Sequence, residues 1–416
     1  MSRIDSDLTG PRAAPMLLCD LTQSWSEVGG GIGTYLRHKR SHILARTPHR
    51  HLLIVPGARD EVIDEGRAIT VTLASPHVPG NRNYRLLLRN GAVRAVLERF
   101  RPDLIECQDA YNLPWAAIGH AKRFPDTALV AAYCTDFPTV YVDRPFAKVV
   151  GRRLAFVAAR LCYKYCAALF RRFDAVFALS ENGGATTLRG LGVADVDIMP
   201  LGVELGDFGP SRRDEKLRRG LGIGAGQPLL IYAGRLDSEK RSQVLVDAFR
   251  RLPDELGATL VLLGEGPLRE QYQALGHPRL FTPGFVRDRG DLARWLASAD
   301  IYVTAFADET FGVSIVEAQA SGLPVVGVAA GALVDRVGDD VGRLGLADDA
   351  EVMAANILAV WNGDRAAMAE KAQERARQYS WDSSMDVLFG RVYRNALAAS
   401  VARRVPAAAA AAPSLA

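Results

Sequence analysis

Two glutamates stand eight positions apart in an otherwise apolar segment, Glu309 and Glu317 within residues 307–326. An apolar run ends just before Glu309, and the periodicity that follows predicts a helix containing Glu317. A buried carboxylate is costly unless it has a partner. The pattern therefore indicates either two structural partners or a site that binds a polar ligand.

Two basic residues, Arg235 and Lys240, bracket a predicted turn in the stretch YAGRLDSEKR. The turn joins a predicted strand to a predicted helix, so it lies at the carboxyl edge of a parallel sheet, where such folds bind ligands. A guanidinium and an ammonium at that edge would neutralise two phosphates. The alternative is a solvated basic loop without a ligand.

These charged residues combine into one predicted nucleotide-sugar site. Glu317 offers two oxygens to a vicinal diol such as a ribose, and Glu309 lies beside the sugar. Arg235 and Lys240 bind the phosphates. The other predicted donor contacts are backbone groups, those of Phe285 toward the base and those of Phe311, Gly312 and Val313 at a helix N-terminus.

A glycine-rich stretch, VGGGIGTYL, follows the first predicted strand and leads into a helix. Its backbone amides can approach a diphosphate, so Gly30 and Gly31 are predicted donor-binding residues, although glycines also form plain tight turns. The spacing lacks the dinucleotide fingerprint, which has an acidic residue about 20 positions further on. We therefore expect no nicotinamide cofactor.

Short apolar runs alternate with amphipathic stretches along the chain. This alternation predicts an α/β fold with two doubly wound, Rossmann-like domains. We expect an acceptor-side domain at 1–205 and a nucleotide-sugar-binding domain at 206–382, joined through a stretch rich in Gly and Pro. A helix at about 383–404 is expected to cross back to the first domain, and 405–416 to form a disordered tail.

The composition, 49% hydrophobic and 24% charged residues, is that of a soluble globular protein. The apolar run at Met16 is too short to span a bilayer or to act as a signal peptide, so we expect a cytoplasmic protein. Five cysteines without a CxxC pair argue against a disulfide framework and a zinc site. Residues 1–205 hold 26 Lys and Arg against 20 Asp and Glu, whereas the remainder holds 25 against 27, which suggests that one half faces an anionic surface.

Several separated motifs make the chain resemble the retaining glycosyltransferases of family 4, which have the two-domain GT-B fold. The motifs, in order, are GGGIGTY, MPLGVELGDFGP, GRLDSEK, PGFV and ADIYVTAFADETFGVSIVEAQASGLPVV. The resemblance spans nearly the whole chain and implies two domains that face a central cleft. It also implies that Arg235 and Lys240 bind the donor diphosphate. Glu309 and Glu317 match the family's Glu-x7-Glu motif.

The chain departs from the family pattern at two positions. Gln108 and Asp109 stand where many relatives carry a histidine near the reacting carbon, and Cys134 replaces a histidine in YCTDFPTVYV. In the mechanism that the resemblance implies, reaction occurs on one face of the sugar and the leaving phosphate takes the acceptor proton, so no protein nucleophile is needed. Asp109 and Asp136 would then orient the acceptor or stabilise oxocarbenium charge, alongside Glu309. The alternative is that both aspartates cap nearby turns.

The sequence Asp-Val-Asp at 195–197 is similar to the Asp-x-Asp metal motif of other transferases. It lies far in sequence from the predicted site and precedes the interdomain stretch. We therefore interpret it as a surface turn, and we expect neither a metal ion nor another cofactor.

Residues 144–173 carry eight basic residues and no acidic one. The apolar residues at helical spacing are Val150, Leu154, Val157, Leu161 and Tyr165, and the cations beside them include Arg153, Arg160 and Lys164. Packing of this helix on its own sheet explains the apolar stripe but not the unopposed charge. A basic amphipathic helix suits an anionic membrane or a phosphorylated acceptor, so we expect a lipid-linked acceptor and peripheral contact with the inner face of a membrane. No nucleic-acid-binding motif is present, so we expect no nucleic-acid partner.

The predicted function is retaining transfer of a hexose, glucose or mannose, from a nucleoside diphosphate sugar to a glycan or lipid-linked acceptor in polysaccharide or glycolipid synthesis. UDP-glucose and GDP-mannose are the predicted donors. One alternative is a nucleotide-sugar epimerase or phosphorylase on the same fold. Another is a degenerate sugar-nucleotide-binding subunit, against which the intact charged motifs count.

Overall fold

The computed structural model describes residues 14–26, 30–79 and 81–403. The predicted tail at 405–416 lies outside these residues. The chain divides into two compact units. The first comprises the described residues up to Leu179 together with Gly184–Met199 and the chain from Ser384 onward, and the second comprises Ser180–Gly183 and Pro200–Ser383.

The first unit is built on an eight-stranded sheet with the order β10-β9-β8-β7-β1-β2-β4-β3. Its strands are β1 Leu17–Leu21, β2 Arg50–Gly57, β3 Glu61–Glu65, β4 Ala68–Ala74, β7 Leu104–Cys107, β8 Ala128–Tyr133, β9 Ala175–Ala178 and β10 Val196–Ile198, while β5 His77–Val78 and β6 Asn81–Arg85 form a separate hairpin. All neighbouring pairs in the large sheet are parallel except β3 with β4. The edge strand β10 begins at Val196 of the Asp-Val-Asp sequence, so Val196 and Asp197 are strand residues rather than part of the predicted turn, while Asp195 lies just before the strand.

Helices connect these strands. They are α1 Gly31–Arg46, α2 Asn90–Phe100, α3 Leu113–Arg123, α4 Arg144–Val150, α5 Arg152–Phe170 and α6 Thr186–Gly190. The single basic helix predicted for 144–173 is two helices, because Gly151 has a φ of 84°, which interrupts the helical backbone. A π-helical turn, Pro138–Asp143, leads into α4.

The second unit has a six-stranded, fully parallel sheet with the order β13-β12-β11-β14-β15-β16. Its strands are β11 Leu229–Ala233, β12 Thr259–Leu263, β13 Leu280–Gly284, β14 Ile301–Val303, β15 Val325–Val328 and β16 Gly342–Gly345. Its helices are α7 Glu215–Gly220, α8 Ser242–Phe249, α9 Arg269–Ala274, α10 Arg289–Ser298, α11 Val313–Ala320, α12 Leu333–Arg336, α13 Ala350–Asn362 and α14 Arg365–Ala376. The central strands are buried on both faces, which explains their continuous apolar sequences.

The last helical stretch of the described residues is formed by α15 Trp381–Val387, a π-helical turn Leu388–Tyr393 and α16 Arg394–Ala402. From Ser384 onward this stretch belongs to the first unit. The Tyr393 hydroxyl donates to Glu106 Oε2 at 2.7 Å and accepts from Lys39 Nζ at 2.9 Å, within a fully buried cluster. The two doubly wound units and this returning segment confirm the predicted fold class.

Both sheets reverse their strand order next to their first strand. In the first unit β2 lies on one side of β1 and β7 on the other, and in the second unit β12 and β14 flank β11 in the same way. Loops that leave the carboxyl ends of such strand pairs diverge and leave a crevice, where open α/β sheets bind ligands. The fold therefore points to the loops after β1 and β7 and to those after β11 and β14.

Candidate functional site

In the second unit, the reversal of strand order brings three predicted site residues to one sheet edge. Arg235 and Lys240 follow β11, and Glu309 follows the neighbouring strand β14. Lys240 Nζ lies 3.9 Å from Glu309 Oε2 and 3.4 Å from the centre of the Phe306 ring. Burial lowers the pKa of Lys240, and the Glu309 carboxylate opposes this shift. The site thus holds a partly desolvated ammonium with one loosely placed counter-charge.

Arg235 is more tightly paired than Lys240. Its guanidinium donates to Asp237 Oδ2 at 2.5 Å and to Glu239 Oε2 at 2.6 Å, although its side chain is 59% exposed. Asp237 also accepts the Lys240 backbone N–H at 2.8 Å, so the same carboxylate shapes the turn. A phosphate at this turn would compete with two carboxylates for Arg235.

The amino end of α11 carries the next predicted contacts. Gly312 precedes the helix with a φ of 88°, and its N–H donates to Glu309 Oε1 at 3.1 Å. The Gly312 amide is therefore already used by the protein, whereas Val313 and Ser314 lie in the first turn, where N–H groups lack intrahelical partners. Phe311 is buried and packs edge-on against Tyr379 at 5.7 Å.

Glu317 lies inside α11 and is 5% exposed. Its Oε1 accepts from Arg289 Nη2 at 3.0 Å. Burial raises the pKa of Glu317, and Arg289 opposes the shift only in part. The sequence predicted the carboxylate and missed Arg289, which lies 28 positions earlier at the start of α10.

Phe285 follows β13 directly, and its side chain is 67% exposed. The loop after β12 is held close to the Arg235 turn, since Leu236 N–H donates to Glu265 O at 2.9 Å. A Cβ atom at Gly264 would overlap the carbonyl oxygen of Gly234, and one at Gly266 would overlap that of Leu236. These two glycines were missed, although their position after a buried strand in the stretch LLGEGP was a usable signal.

The remaining predicted site residues belong to the first unit. Gly30 precedes α1 with a φ of 118°, and a Cβ atom there would lie 3.2 Å from the Tyr84 hydroxyl, whereas Gly31 has open space around it. The backbone conformation therefore requires glycine at Gly30. Their role in donor binding stays a prediction.

Asp109 follows β7 and is buried beside the loop that leaves β1. Its carboxylate accepts from Thr22 Oγ1 at 2.7 Å, from Gln23 N–H at 2.6 Å and from Ser24 Oγ. Burial raises the pKa of Asp109, and these hydrogen bonds oppose the shift. The contacts agree with the turn-capping alternative, in which Asp109 shapes the loop after β1.

Asp136 is also occupied by protein donors. Its carboxylate accepts from the Tyr133 hydroxyl at 2.9 Å and from the Tyr163 hydroxyl at 2.8 and 2.7 Å. Tyr163 lies on α5, so Asp136 ties the π-helical turn before α4 to that helix. This arrangement again matches a structural role, and a catalytic role for Asp136 stays a prediction.

Next to these aspartates, the first unit contains a cavity lined by residues that include Gln108, Asp109, Tyr111, Phe137 and Tyr141. The Tyr111 ring lies 4.7 Å from Phe137 and 5.7 Å from Tyr141, measured between ring centres. Gln108 is buried and its Nε2 donates to Asp20 and Glu106, while its Oε1 has no hydrogen-bond partner among the described residues. The cavity thus combines aromatic walls with an unused buried acceptor.

The predicted membrane or acceptor cations, Arg153, Arg160 and Lys164, are exposed on α5 of the first unit. They are not part of the cavity lining. The structure therefore separates them from the cavity residues within that unit.

Two family models match the chain, one described as Glycosyltransferase Family 4 over residues 29–207 and one as Glycosyl transferases group 1 over residues 227–363. A GDP-mannose-dependent alpha-(1-6)-phosphatidylinositol dimannoside mannosyltransferase of Mycobacterium tuberculosis is 32% identical over 80% of this chain and 84% of its own. A GDP-mannose-dependent alpha-mannosyltransferase of Corynebacterium glutamicum is 26% identical over 89% of this chain and 86% of its own.

Solved structures agree in fold. Sucrose-phosphate synthase from Thermosynechococcus elongatus matches with a TM-score of 0.70 and 20% identity, over 92% of this chain and 99% of that one. Anabaena HepE in complex with UDP and glucose matches with a TM-score of 0.65 and 19% identity, over 91% and 99%. The fold is that of the GT-B glycosyltransferases. The chain belongs to glycosyltransferase family 4 and is an enzyme of that class, which confirms the resemblance drawn from its motifs.

Proposed function

We propose that this glycosyltransferase moves mannose from GDP-mannose to a lipid-linked acceptor, with retention of the α configuration and without a metal ion, at the cytoplasmic face of a membrane. The main support for a nucleotide-sugar donor is that Lys240 and Glu309 lie close together where the strand order reverses, after the neighbouring strands β11 and β14. A cation there binds a diphosphate, and a carboxylate beside it stabilises positive charge that develops on a departing sugar.

Mannose is favoured over glucose because two relatives, which match 80% and 89% of this chain, are both named as GDP-mannose-dependent. Within the second unit, we assign Arg235 and Lys240 to the diphosphate and Glu317 to the ribose. These contacts do not distinguish guanine from uracil, so the preference for GDP-mannose depends on the relatives.

A polyol acceptor is supported by the cavity of the first unit. Aromatic walls at Tyr111, Phe137 and Tyr141 suit the apolar face of a sugar or cyclitol ring. The relative from Mycobacterium tuberculosis is named for a phosphatidylinositol dimannoside acceptor. We therefore propose a sugar or cyclitol ring carried on a lipid.

The test is a panel of nucleotide sugars assayed for slow hydrolysis and for thermal stabilisation of the protein, with and without a chelator. We expect GDP-mannose to be hydrolysed and to stabilise the protein most, unchanged by the chelator. Transfer to phosphatidylinositol mannosides should then yield an α-linked product. Hydrolysis of UDP-glucose alone would overturn the mannose assignment, and an inverted product would overturn retention.

A further inference from the structure

Large apolar side chains are exposed on α4 and α5 of the first unit. Val149 is 84% exposed, Leu154 is 64% exposed and Leu161 is 62% exposed. Other exposed apolar side chains on these helices are Phe146, Val150, Phe156 and Val157. We call this surface the α4–α5 face.

Packing of α5 on the sheet through its large apolar side chains would bury them, but in the structure they are exposed. The side of α5 that contacts the core consists mainly of small residues, with Ala155, Ala159 and Ala167 buried. The stripe Val150, Leu154, Val157 and Leu161 lies away from the core, so the packing interpretation of this stripe is wrong. Tyr165, the last residue of the predicted stripe, does contact the rest of the first unit: its hydroxyl accepts from Trp115 Nε1–H and donates to the Tyr111 backbone oxygen.

Cations border this apolar stripe. Arg152, Arg153, Arg160 and Lys164 are exposed. In the described part of the chain, none of these four forms an ion pair with a carboxylate. The Arg160 guanidinium lies 6.0 Å from the centre of the Phe156 ring, so charged and apolar groups share one surface. Contiguous apolar surface of this kind marks an interaction site.

We infer that the α4–α5 face binds an anionic lipid bilayer, with its apolar side chains among the upper acyl chains and its cations at the headgroups. This combination is the one that holds amphipathic helices in the plane of a membrane. No helix in the described ranges is long and apolar enough to cross a bilayer, so the contact is peripheral. The inference rests on the proposed lipid-linked acceptor for its purpose, since it would bring the enzyme to that acceptor.

The positive charge of the α4–α5 face favours an anionic bilayer, rather than a second copy of this chain, as its binding partner. A two-fold contact would bring the face onto itself and oppose cations with cations. An anionic membrane surface supplies the complementary charge along the whole face. Each Lys or Arg near such a surface strengthens binding by about fivefold.

The experiment is flotation of the full-length protein with vesicles of phosphatidylcholine containing about one third phosphatidylserine or phosphatidylinositol, without donor or acceptor. We expect binding to anionic vesicles that weakens as salt rises, because exposed charges are screened within about 10 Å at 0.1 M. R153E/R160E/K164E should reduce binding about 100-fold or more. L154S/V157S/L161S should keep the charges and abolish the binding that survives at high salt.

Two matched variants control for net charge and for surface hydrophobicity. R212E/R219E/R250E makes the same change in charge at exposed positions of the second unit, and V62S/L275S/L346S removes exposed apolar groups elsewhere. Both should float like the parent. Thermal stabilisation by GDP verifies that each variant is folded.

Three results would overturn the inference. The first is equal binding of the parent to neutral and anionic vesicles, and the second is normal flotation of both α4–α5 variants. The third is a parent protein that is a dimer, becomes a monomer in L154S/V157S/L161S, and binds vesicles in neither form. Because flotation is measured without substrates, loss of the membrane contact is separable from failure of the proposed mannose transfer, which nucleotide-sugar hydrolysis reports.

Discussion

Arg289 Nη2 lies 3.0 Å from Glu317 Oε1, on the carboxylate predicted to hold the ribose of the donor. The Cζ atom of the same guanidinium lies 5.0 Å from the centre of the Phe208 ring. Its Nε atom lies 3.5 Å from Asp207 Oδ2. Arg289 thus orients Glu317 through one oxygen, so we infer that the other oxygen is presented to a ribose hydroxyl. We regard Arg289 as a positioning residue for donor binding.

Replacing Arg289 by methionine should weaken binding of a nucleoside diphosphate by about fivefold, because a charge-assisted hydrogen bond to a half-exposed arginine is worth about 1 kcal/mol. Calorimetry with GDP measures the effect. R294M is the matched control, since Arg294 lies on the same helix and pairs with Asp214 and Asp291 instead. Equal affinities of R289M and the parent would remove Arg289 from the site.

Glu317→Gln should stabilise the fold at neutral pH. Burial raises the folded-state pKa of Glu317, so the folded chain binds the proton more tightly than the unfolded chain. The stability of the parent therefore falls as pH rises from the ordinary glutamate pKa through the folded value. Glutamine does not titrate, so its advantage in melting temperature should be largest at neutral pH and shrink on acidification.

Thermal unfolding from pH ~4 to ~8 checks this expectation. Glu270→Gln, at an exposed position of α9, should show no such trend. A stability difference for E317Q that does not change with pH would show that burial of the carboxylate is not its cause. The same variant should bind GDP more weakly, because the amide loses charge toward the ribose hydroxyls.

The sheet-edge positions of the predicted donor-binding residues could be derived from the sequence because each signal is local. Arg235 and Lys240 follow a continuous apolar strand, and Glu309 follows another, so strand pattern and residue type together mark a sheet edge. Arg289 could not be predicted, since its contact with Glu317 depends on how α10 packs beside α11. The packing of two helices depends on tertiary contacts, which the local hydrophobic pattern of the sequence does not reveal.

The orientation of α5 shows a second limit. Its sequence has two apolar sides at helical spacing, one with Leu154 and Leu161 and one with Ala155 and Ala159. Hydropathy favours burial of the larger side chains, but the structure packs the alanines against the core and exposes the leucines. Small residues allow close approach of the helix to the sheet, and sequence pattern alone does not decide between the two sides.

Removing both cations that are predicted to bind the diphosphate, Arg235 and Lys240, should weaken GDP binding by about 100-fold or more, because each charge-assisted contact is worth about 1.5–3 kcal/mol. The two single variants should differ. Arg235 already donates to Asp237 and Glu239, whereas Lys240 Nζ lies 3.9 Å from the Glu309 carboxylate. We therefore expect Lys240→Ala to cost more affinity than Arg235→Ala.

Calorimetry on R235A, K240A and the double variant separates these contributions. Arg241→Ala is the control, because Arg241 is the adjacent cation and pairs with Asp348 at 2.8 Å. Unchanged binding by the double variant would exclude this turn as the diphosphate site. A larger loss for R235A than for K240A would contradict the order of effects inferred from their ion pairs.

Tyr141→Leu should raise the acceptor KM by about fivefold and leave the donor KM unchanged, since an aromatic contact is worth about 1 kcal/mol. Tyr141 is 51% exposed at the cavity, so its replacement spares the core. Phe124→Leu, a change to another aromatic residue of the first unit that does not line the cavity, is the control. Steady-state kinetics with each substrate varied in turn distinguishes the two sides, and a change in donor KM alone would exclude Tyr141 from the acceptor site.

Glu309→Gln should lower kcat by roughly 100-fold, about 2.7 kcal/mol, with little effect on GDP affinity. Positive charge grows on the sugar ring as the glycosidic bond breaks, so a neighbouring carboxylate interacts more strongly in the transition state than in the ground state. Glu309 is held in place, because its backbone oxygen accepts from Ala332 N–H at 2.7 Å and its Oε1 accepts from Gly312 N–H at 3.1 Å. A glutamine oxygen can retain the second bond, so the loop and the fold should survive.

Single-turnover kinetics at saturating donor measures the effect, and Asp308→Asn tests whether loss of any carboxylate in this loop is enough. Glu317→Gln provides the contrast, since loss of uniform binding raises KM and leaves kcat nearly unchanged. If E309Q kept the parent kcat, Glu309 would be a loop-capping residue rather than a catalytic one. A 100-fold loss in E309Q together with normal turnover in D308N would place the charge requirement at the Glu309 carboxylate itself.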